Sequence, residues 1–429
     1  MTIAIVTTTI SLLFFHFSLL YEHAVATTFD VIVAQVTDTI PAQMTSNRSA
    51  KQFERDTLET QKVSPLDITD DRGIYILTKD GNMQLRILGS VRFAINDDFV
   101  ILPVQNTFNT YYIPTGDDNI KINNFNSSLG QTRLGFEVSR KLKNKNVFIR
   151  LETDFNGKDG AFRIRHAYGQ IGHFLVGQTW SLFSNVSSLP AMVDGNGPTG
   201  SVTLRTAQAR YSGTNKKGTN WAVAMEYSRP DLNTIDLDTT GLSIVQVIPD
   251  VTARIERQGI FGAVQLSTVL TTLSIKDSNN KVSNSFGWGG QLSGTIDFKR
   301  RHQLLYQLTY GRSIAHFITT FSGTGRDFIY NPETREFEGL NSFGGFLSYG
   351  FDWTKSLKTN ISAGYAELSN KEYQLGDTYK NSMSMSLDSF WTIVDGLKLG
   401  VEYVYGQRWN KDGSSGNASR ISTLFYYDF

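Results

Sequence analysis

The chain has 429 residues, and its 41 Lys and Arg against 40 Asp and Glu give a formal net charge of only +1. This balance excludes a protein that binds nucleic acid through a bulk basic surface. The absence of cysteine excludes disulfides, thiolate metal sites and a cysteine nucleophile. The 37 glycines, 9 prolines and 12% aromatic residues are typical of many strands joined by tight turns.

The N-terminal segment has the composition of a targeting sequence. Residues 3–20 are apolar with scattered Thr and Ser, and a small-residue motif follows at 24–26. We predict a secretory signal peptide over 1–26, although no Lys or Arg precedes Arg48. An uncleaved membrane anchor is the alternative. We assign 27–82 to a periplasmic extension with a short helix at 50–62, and 83–429 to the main domain.

From residue 83 onward, apolar and polar side chains alternate with a period of two. Val91 and Phe93 flank Arg92, and the same alternation returns in segment after segment, without a helical period of useful length. An all-β chain of this size forms a sandwich array, a propeller or a barrel. No blade motif repeats along the chain, which weighs against a propeller.

We predict about 16 strands, which lie near 83–95, 130–140, 147–155, 162–169, 173–180, 202–211, 220–228, 251–257, 260–273, 285–297, 302–315, 342–353, 358–369, 381–391, 397–408 and 418–429. Connections after most even-numbered strands are short. Several after odd-numbered strands are long, namely 96–129, 181–201, 229–250 and 316–341. Short turns on one side and long loops on the other indicate a transmembrane antiparallel β-barrel.

The end of the chain supports this prediction. Phe425, Tyr427 and Phe429 lie at alternate positions of the last strand. This pattern resembles the C-terminal signal that the bacterial barrel-assembly machinery recognises. An ordinary final strand that ends in aromatic residues is the alternative.

The connection 181–201 is unusually apolar for a surface loop. It contains Phe183, Leu189 and Pro190, and its one charged residue is Asp194. Exposed loops are normally more polar. We therefore expect this third long connection to fold into the barrel and narrow it; burial in a subunit interface is the alternative.

Arginine dominates the polar faces of the first predicted strands. These arginines are Arg86, Arg92, Arg133, Arg150, Arg163 and Arg165, joined by either Arg205 or Arg210 according to the register of that strand. The planar guanidinium fits carboxylates, and arginines in a narrow pore favour anions over cations. In the alternative, each arginine pairs with a neighbouring carboxylate and only stiffens the wall.

The segment 162–183, Leu189–Pro190, the turn 195–200, and Arg205, Gln208 and Arg210–Tyr211 together resemble the DcaP-like outer-membrane porins. The resemblance implies a trimeric sixteen-stranded barrel with its third extracellular loop in the lumen. It also implies uptake of small anions, dicarboxylates among them, selected by Arg163, Arg165, Arg205 and Arg210. The chain departs from the family in its N-terminal coiled-coil segment, which is at most the short piece 50–63.

The remaining polar residues predict no reaction chemistry. The six histidines form no tightly spaced metal-ligand cluster, and no Ser–His arrangement stands out. The sequence thus predicts a bacterial outer-membrane porin for passive diffusion of small anionic solutes, without catalytic residues, metal or cofactor. Its expected partners are outer-membrane lipid and lipopolysaccharide, the barrel-assembly machinery and two further copies of itself, but no nucleic acid. A phosphate-selective porin and a plugged structural or adhesion barrel are the alternatives.

Overall fold

A computed structural model describes residues 72–142, 145–228, 230–232, 243–276, 282–299, 301–331, 333–334 and 336–429. The predicted signal peptide and nearly all of the predicted extension lie outside these residues. Within them, no helix is long and apolar enough to cross a membrane. The helical segments described are five single 3-10 turns.

Sixteen strands form the wall, and the predicted strand set is confirmed. The strands are β1 Met83–Asp98, β2 Arg133–Leu142, β3 Lys145–Asp154, β4 Arg163–Ile171, β5 Phe174–Trp180, β6 Arg205–Thr214, β7 Thr219–Tyr227, β8 Asp250–Gly259, β9 Gly262–Lys276, β10 Val282–Phe298, β11 His302–Arg312, β12 Asn341–Asp352, β13 Leu357–Leu368, β14 Tyr379–Val394, β15 Leu397–Asn410 and β16 Ser415–Asp428. Each strand pairs antiparallel with the next one along the chain.

The sheet closes on itself through its first and last strands. β16 pairs antiparallel with β1 from Ser90 opposite Asp428 to Asp98 opposite Arg420. Beyond β16, Phe429 and Gly89 exchange two backbone hydrogen bonds of 3.0 Å. A closed barrel leaves no strand edge unpaired, which is the condition for a sheet to cross a bilayer.

The wall reverses the usual distribution of polar and apolar side chains. On β1, Val91 is 53% exposed, whereas the adjacent Ser90 and Arg92 are 0% and 9% exposed. The same alternation recurs on β16, where Phe425 points outward and Arg420 inward. An exposed apolar belt around a polar interior is the pattern of a barrel that faces lipid on its outside.

Short strands extend the wall at several places. Ile74–Leu77, within the segment assigned to the extension, pairs antiparallel with the start of β1, and Asn124–Ser128 pairs with its end. Ser243–Val245 pairs with β9, and Phe328–Asn331 forms a hairpin with Glu336–Gly339.

Long connections lie at one end of the barrel. We call 99–132 loop L1, 181–204 loop L3 and 313–340 loop L6. Apolar side chains of L3 and L6 pack with inward-facing wall residues into one core, whose buried members are Phe183, Val202, Val269, Ile314, Ala315, Phe317, Ile318, Phe321, Ala366, Leu368 and Tyr379. A second core joins L1 to β15 and β16 and contains Val100, Leu102, Phe108, Ile113, Val404 and Ala418. The three loops therefore pack against the inner face of the wall.

Candidate pore

The inner face of β1–β4, which we call the arginine sector, carries six of the predicted arginines. Those of the first three strands are Arg86, Arg92, Arg133 and Arg150. Pairing fixes their direction, because residues opposite each other in an antiparallel sheet point to the same side. Arg86 lies opposite Glu137, which lies opposite Arg150, and Arg133 lies opposite Asp154.

A bulge places the two arginines of β4 on this face as well. Glu152 pairs with His166, while Thr153 pairs with Ile164, so Arg165 is the extra residue between them. A bulge of this kind redirects a side chain. Arg163 pairs with Asp154 and shares its inward direction. Without the extra residue, Ile164 would lie opposite Asp154 and both arginines would point outward.

The arginines alternate with carboxylates along the sector. Glu137 bridges two of them, because Arg86 Nη1 lies 3.0 Å from Oε2 and Arg150 Nη1 lies 3.2 Å from Oε1. Glu152 continues the series through Arg150 and through Arg165 Nε, which lies 2.7 Å from Oε1.

Asp154 ends the series on β3. Its Oδ2 lies 3.1 Å from Arg165 Nη1 and 2.6 Å from Arg163 Nη2, while Arg163 Nε donates to Oδ1 at 2.9 Å. The Asp154 carboxylate is buried, whereas 46% of the Arg163 side chain is exposed. The pairing of arginines with neighbouring carboxylates, which was one of the two alternatives left open by the sequence, therefore occurs. Of the four arginines in these ion pairs, Arg163 is the most exposed.

Positive charge nonetheless exceeds negative charge in this sector. Two more arginines accompany the four that pair with carboxylates of β2 and β3. The Arg92 guanidinium lies 5.1 Å from the centre of the Tyr426 ring, and its Nη2 lies 4.0 Å from Asp428 Oδ1 of β16. Arg133 also points inward. A further inward acid on β1, Asp98, bonds to Arg420 of β16 through two contacts of 2.6 and 3.0 Å. The inner face of β1–β4 thus carries six arginines and four carboxylates, namely Asp98, Glu137, Glu152 and Asp154.

The register of β6 separates the remaining two arginines. Arg210 lies opposite Leu175 and points inward beside Gln208, whose Oε1 accepts from Arg210 Nε at 2.9 Å. Arg205 lies at the start of the strand on the opposite parity. Its guanidinium stacks 3.6 Å from the centre of the Trp180 ring. Of this pair, Arg210 is the one that joins the inner face.

L3 crosses the lumen from β5. Phe183 and Leu189 are 0% and 2% exposed, and Pro190 is also buried. Leu189 packs on Leu305 and Phe346 of the opposite wall. The backbone lies so close to that wall that a Cβ at Gly364 would be 2.2 Å from the Thr199 carbonyl oxygen.

Two wall carboxyl groups hold the far end of L3. The backbone N–H of Val193 donates to Asp388 and to Glu402, each at 3.1 Å, and that of Asp194 donates to Glu402 at 3.1 Å. Burial and the neighbouring Glu402 raise the pKa of Asp194 to about 7, while Arg420 opposes this shift. L3 is therefore anchored across the lumen through its backbone.

L1 and L6, for which no inward course was predicted from the sequence, also pack inward. Phe108 of L1 donates its backbone N–H to Asp194 of L3, and Val202 of L3 forms an isolated bridge with Ile318 of L6. The signal was present in the sequence, because Val100, Phe108 and Ile318 are as apolar as the residues of L3. We call the inner face of β9–β16 with these three loops the loop-packed sector.

One constellation has the outline of a hydrolytic triad. His316 Nδ1 lies 2.8 Å from Asp327 Oδ2, and His316 Nε2 lies 3.1 Å from Ser228 Oγ. The Ser228 hydroxyl donates to Asp250, so its proton does not point at the imidazole. Burial lowers the pKa of His316, but Asp327, Asp250 and Asp231 outweigh it and raise the pKa. The contacts of this cluster tie L6 to the end of β7.

The described residues contain no group of three or more His, Asp or Glu that fits a metal ion. Of the three aromatic residues predicted to form an assembly signal, Phe425 and Tyr427 lie on β16 and Phe429 directly follows it. Phe425 and Tyr427 point outward and are 43% and 46% exposed, opposite Phe93 and Val91 of β1.

A closed sixteen-stranded barrel with a lipid-facing apolar belt, long loops at one end and a charged inner wall defines a porin of the bacterial outer membrane. A family model described as DcaP outer membrane protein matches residues 71–429, and the chain belongs to this family.

Solved structures show the same fold. The crystal structure of the outer membrane channel DcaP of Acinetobacter baumannii has a TM-score of 0.71 at 20% identity, over 82% of this chain and 99% of that one. The anion-selective porin from Comamonas acidovorans has a TM-score of 0.55 at 10% identity, over 81% and 100%. OmpF of Salmonella typhi, solved with daunomycin, has a TM-score of 0.53 at 11% identity, over 83% and 100%. None of the curated proteins compared with the chain matches it.

Proposed function

We propose that this porin lets small anionic solutes, dicarboxylates among them, diffuse passively across the outer membrane, and that it catalyses no reaction. The observation that carries the proposal is the arginine sector, where six arginines face four carboxylates. Guanidinium groups stay charged at every physiological pH and donate up to five hydrogen bonds each. A fixed surplus of them in a partly dehydrated pore lowers the barrier for anions and raises it for cations.

The ion pairs shape this selectivity. Each carboxylate of β2 and β3 holds two guanidiniums in place, so the arginines are ordered before a solute arrives. An ordered charge loses less conformational entropy when it contacts a solute. Arg163 is the residue of the series with the largest exposed fraction, and we assign it the main contact with passing anions.

L3 supplies the size limit in this proposal. It crosses the lumen, and its backbone is fixed to β14 and β15 by Asp388 and Glu402. Gly195, which is exposed, and Ala191 and Met192, which are partly exposed, are among its accessible positions. We infer that they form the side of the constriction opposite the arginine sector.

The family to which the chain belongs also supports a homotrimer in the outer membrane, surrounded by lipid and lipopolysaccharide. We propose that the barrel-assembly machinery inserts the protein and recognises Phe425, Tyr427 and Phe429. Chemical crosslinking in native membranes tests the trimer. Replacing Phe429 by Ala tests the signal, because a loss of assembly in cells with normal refolding in detergent is the expected result.

Flux into proteoliposomes tests the selectivity. Glutarate and 1,5-diaminopentane have the same chain length and opposite charge, and glycerol serves as the neutral control for an open pore. We expect glutarate to enter faster than the diamine. Equal rates for the two, with glycerol entering normally, contradict the proposal.

The plugged barrel remains a second candidate, because L1, L3 and L6 all pack inside the wall. Phe183, Phe321 and Ile318 are each 0% exposed in that core. A folded protein that admits neither glutarate nor glycerol favours this candidate over the porin function.

A further inference from the structure

A cluster of aromatic side chains surrounds Tyr111 of L1, at the outer end of the loop-packed sector. The Tyr111 ring stacks on Tyr379 of β14 with centroids 4.9 Å apart, and it meets Phe321 of L6 edge-on at 6.4 Å. Tyr379 and Phe321 are 1% and 0% exposed, whereas Tyr111 is only partly buried. One ring thus lies at the surface of a rigid aromatic platform.

The backbone around Tyr111 is fixed as well. Asn109 accepts from the Tyr111 N–H at 3.0 Å and donates to the Thr320 carbonyl oxygen of L6 at 3.2 Å. Thr110 shares a hydrogen bond of 2.7 Å with Ser382 of β14. L1, L6 and the wall therefore hold this tyrosine in a single position.

Two arginines from distant parts of the chain meet at this tyrosine. Arg326 Nε of L6 donates to the Tyr111 hydroxyl oxygen at 2.9 Å. Arg408 of β15 donates from Nη1 to the Tyr111 carbonyl oxygen at 2.6 Å and from Nε to Asn410 at 3.0 Å. Its guanidinium lies 5.5 Å from the ring centres of both Tyr111 and Tyr379. Both arginines are only partly buried.

Unlike the arginines of the arginine sector, these two form no ion pair with any carboxylate that the structure describes. Asp377 acts on Arg408 electrostatically, but from beyond ion-pair distance. Both terminal nitrogens of Arg326 and Nη2 of Arg408 lack an acceptor among the described residues. The Tyr111 hydroxyl accepts from Arg326, so its own proton points elsewhere.

We propose that Arg326, Arg408 and the Tyr111 hydroxyl bind a carboxylate group of the solute at the outer mouth, before the solute reaches the arginine sector. A carboxylate accepts up to four hydrogen bonds, which matches the donors left over here. Charge-assisted bonds from arginine are the strongest of this kind, and half-burial strengthens them further. This inference rests on the proposed anion function and adds a capture site to it.

Sided block of single channels in a planar bilayer tests the inference, with glutarate as the probe. The variant is Arg326→Gln combined with Arg408→Gln. We expect the association rate of glutarate from the loop side to fall about tenfold, because the two charges that attract the anion to this site are lost. The association rate from the turn side stays at the wild-type value. Lys121→Gln is the matched control, because Lys121 is an exposed cation of L1 that bonds to Asn417 instead.

An unchanged loop-side rate in the double variant, or an equal fall in the Lys121→Gln control, overturns the capture site. A wild-type channel that prefers cations overturns the proposed function, which is a separate readout from the same recordings. Arg408→Lys keeps the charge but loses the planar fork, so we expect an intermediate rate. Arg326→Gln alone serves as a check in case the double variant misfolds, since among the described residues that side chain bonds only to Tyr111.

Discussion

The arginine sector and the loop-packed sector are built from the same alternating strands, yet their inward polar groups are satisfied in different ways. In the arginine sector, charges on adjacent strands pair with one another, as Glu137 pairs with Arg86 and Arg150. In the loop-packed sector, the wall is covered by the chain's own loops, whose backbone N–H groups bond to Asp388 and Glu402.

The difference teaches how one wall can serve two purposes. Charge pairing across strands leaves an arginine such as Arg163 partly exposed, so this sector stays available to a solute. Loop packing buries Phe183 and Phe321 completely. We therefore place the path of the solute between the two sectors and expect substitutions in them to differ in kind.

Loss of an arginine from the paired series has the largest expected effect. Arg165→Ala leaves Glu152 and Asp154, both fully buried, with one cation fewer. Breaking a buried pair costs about 3–5 kcal/mol. Urea unfolding, followed by heat-modifiable mobility in gels, measures the change. Arg163→Ala is the control, since its half-exposed pair is worth at most about 1 kcal/mol; an equal loss in both variants contradicts the distinction.

Loss of an aromatic ring from the loop-packed sector acts on packing instead of charge. Phe321→Ala removes a fully buried ring from the core that L3 and L6 share, at about 3–5 kcal/mol. Phe286→Ala on the lipid-facing side, where the ring is 69% exposed, is the control and costs far less. We expect Phe321→Ala to raise the channel conductance and Phe286→Ala to leave it unchanged. Equal conductance in the two variants shows that the core does not hold the loops in the pore.

A side chain beneath L3 displaces the loop without changing any charge. Gly364→Val fills the space that the Thr199 carbonyl group occupies, at a cost of about 1–3 kcal/mol. We expect faster entry of large neutral solutes while the anion preference persists, because the arginine sector is untouched. Gly290→Val is the matched control, since nothing lies within 4 Å of a Cβ at that position. Identical size limits in both variants remove L3 from the constriction.

Deprotonation of Asp194 in L3 has the smallest expected effect on the channel. Burial and Glu402 raise the pKa of Asp194 to about 7, above the ordinary value of about 3.9. Its contribution to loop stability is therefore complete below about pH 4 and is lost as the pH rises through about 7. We expect conductance noise to increase between pH 6 and pH 8, and Asp194→Asn to abolish the increase. Noise that grows on acidification has the wrong sign for this explanation.

The sequence was sufficient to predict the strands of the barrel wall. Period-two alternation located all sixteen strands, because a barrel strand places Val91 in lipid and Arg92 in the lumen whatever its neighbours are. The choice between Arg205 and Arg210 needed register, which depends on the partners Leu175 and Trp180 across the strand pair.

The side-chain contacts between pore residues could not be predicted from the sequence for a related reason. Arg165 reaches Asp154 only because β4 bulges at that point, and one sequence does not mark a bulge. Arg326 and Arg408 meet at Tyr111 although they are 215 and 297 residues away along the chain. The inward course of L1 had a readable signal in its apolar residues, but we applied that signal only to the connection 181–201.

The reversal potential of the refolded wild-type protein in a planar bilayer, under a gradient of potassium chloride, tests the central claim most directly. The surplus of arginine in the arginine sector predicts an open channel whose potential has the sign of chloride permeation. An open channel with the sign of potassium permeation contradicts the claim that this sector sets the selectivity.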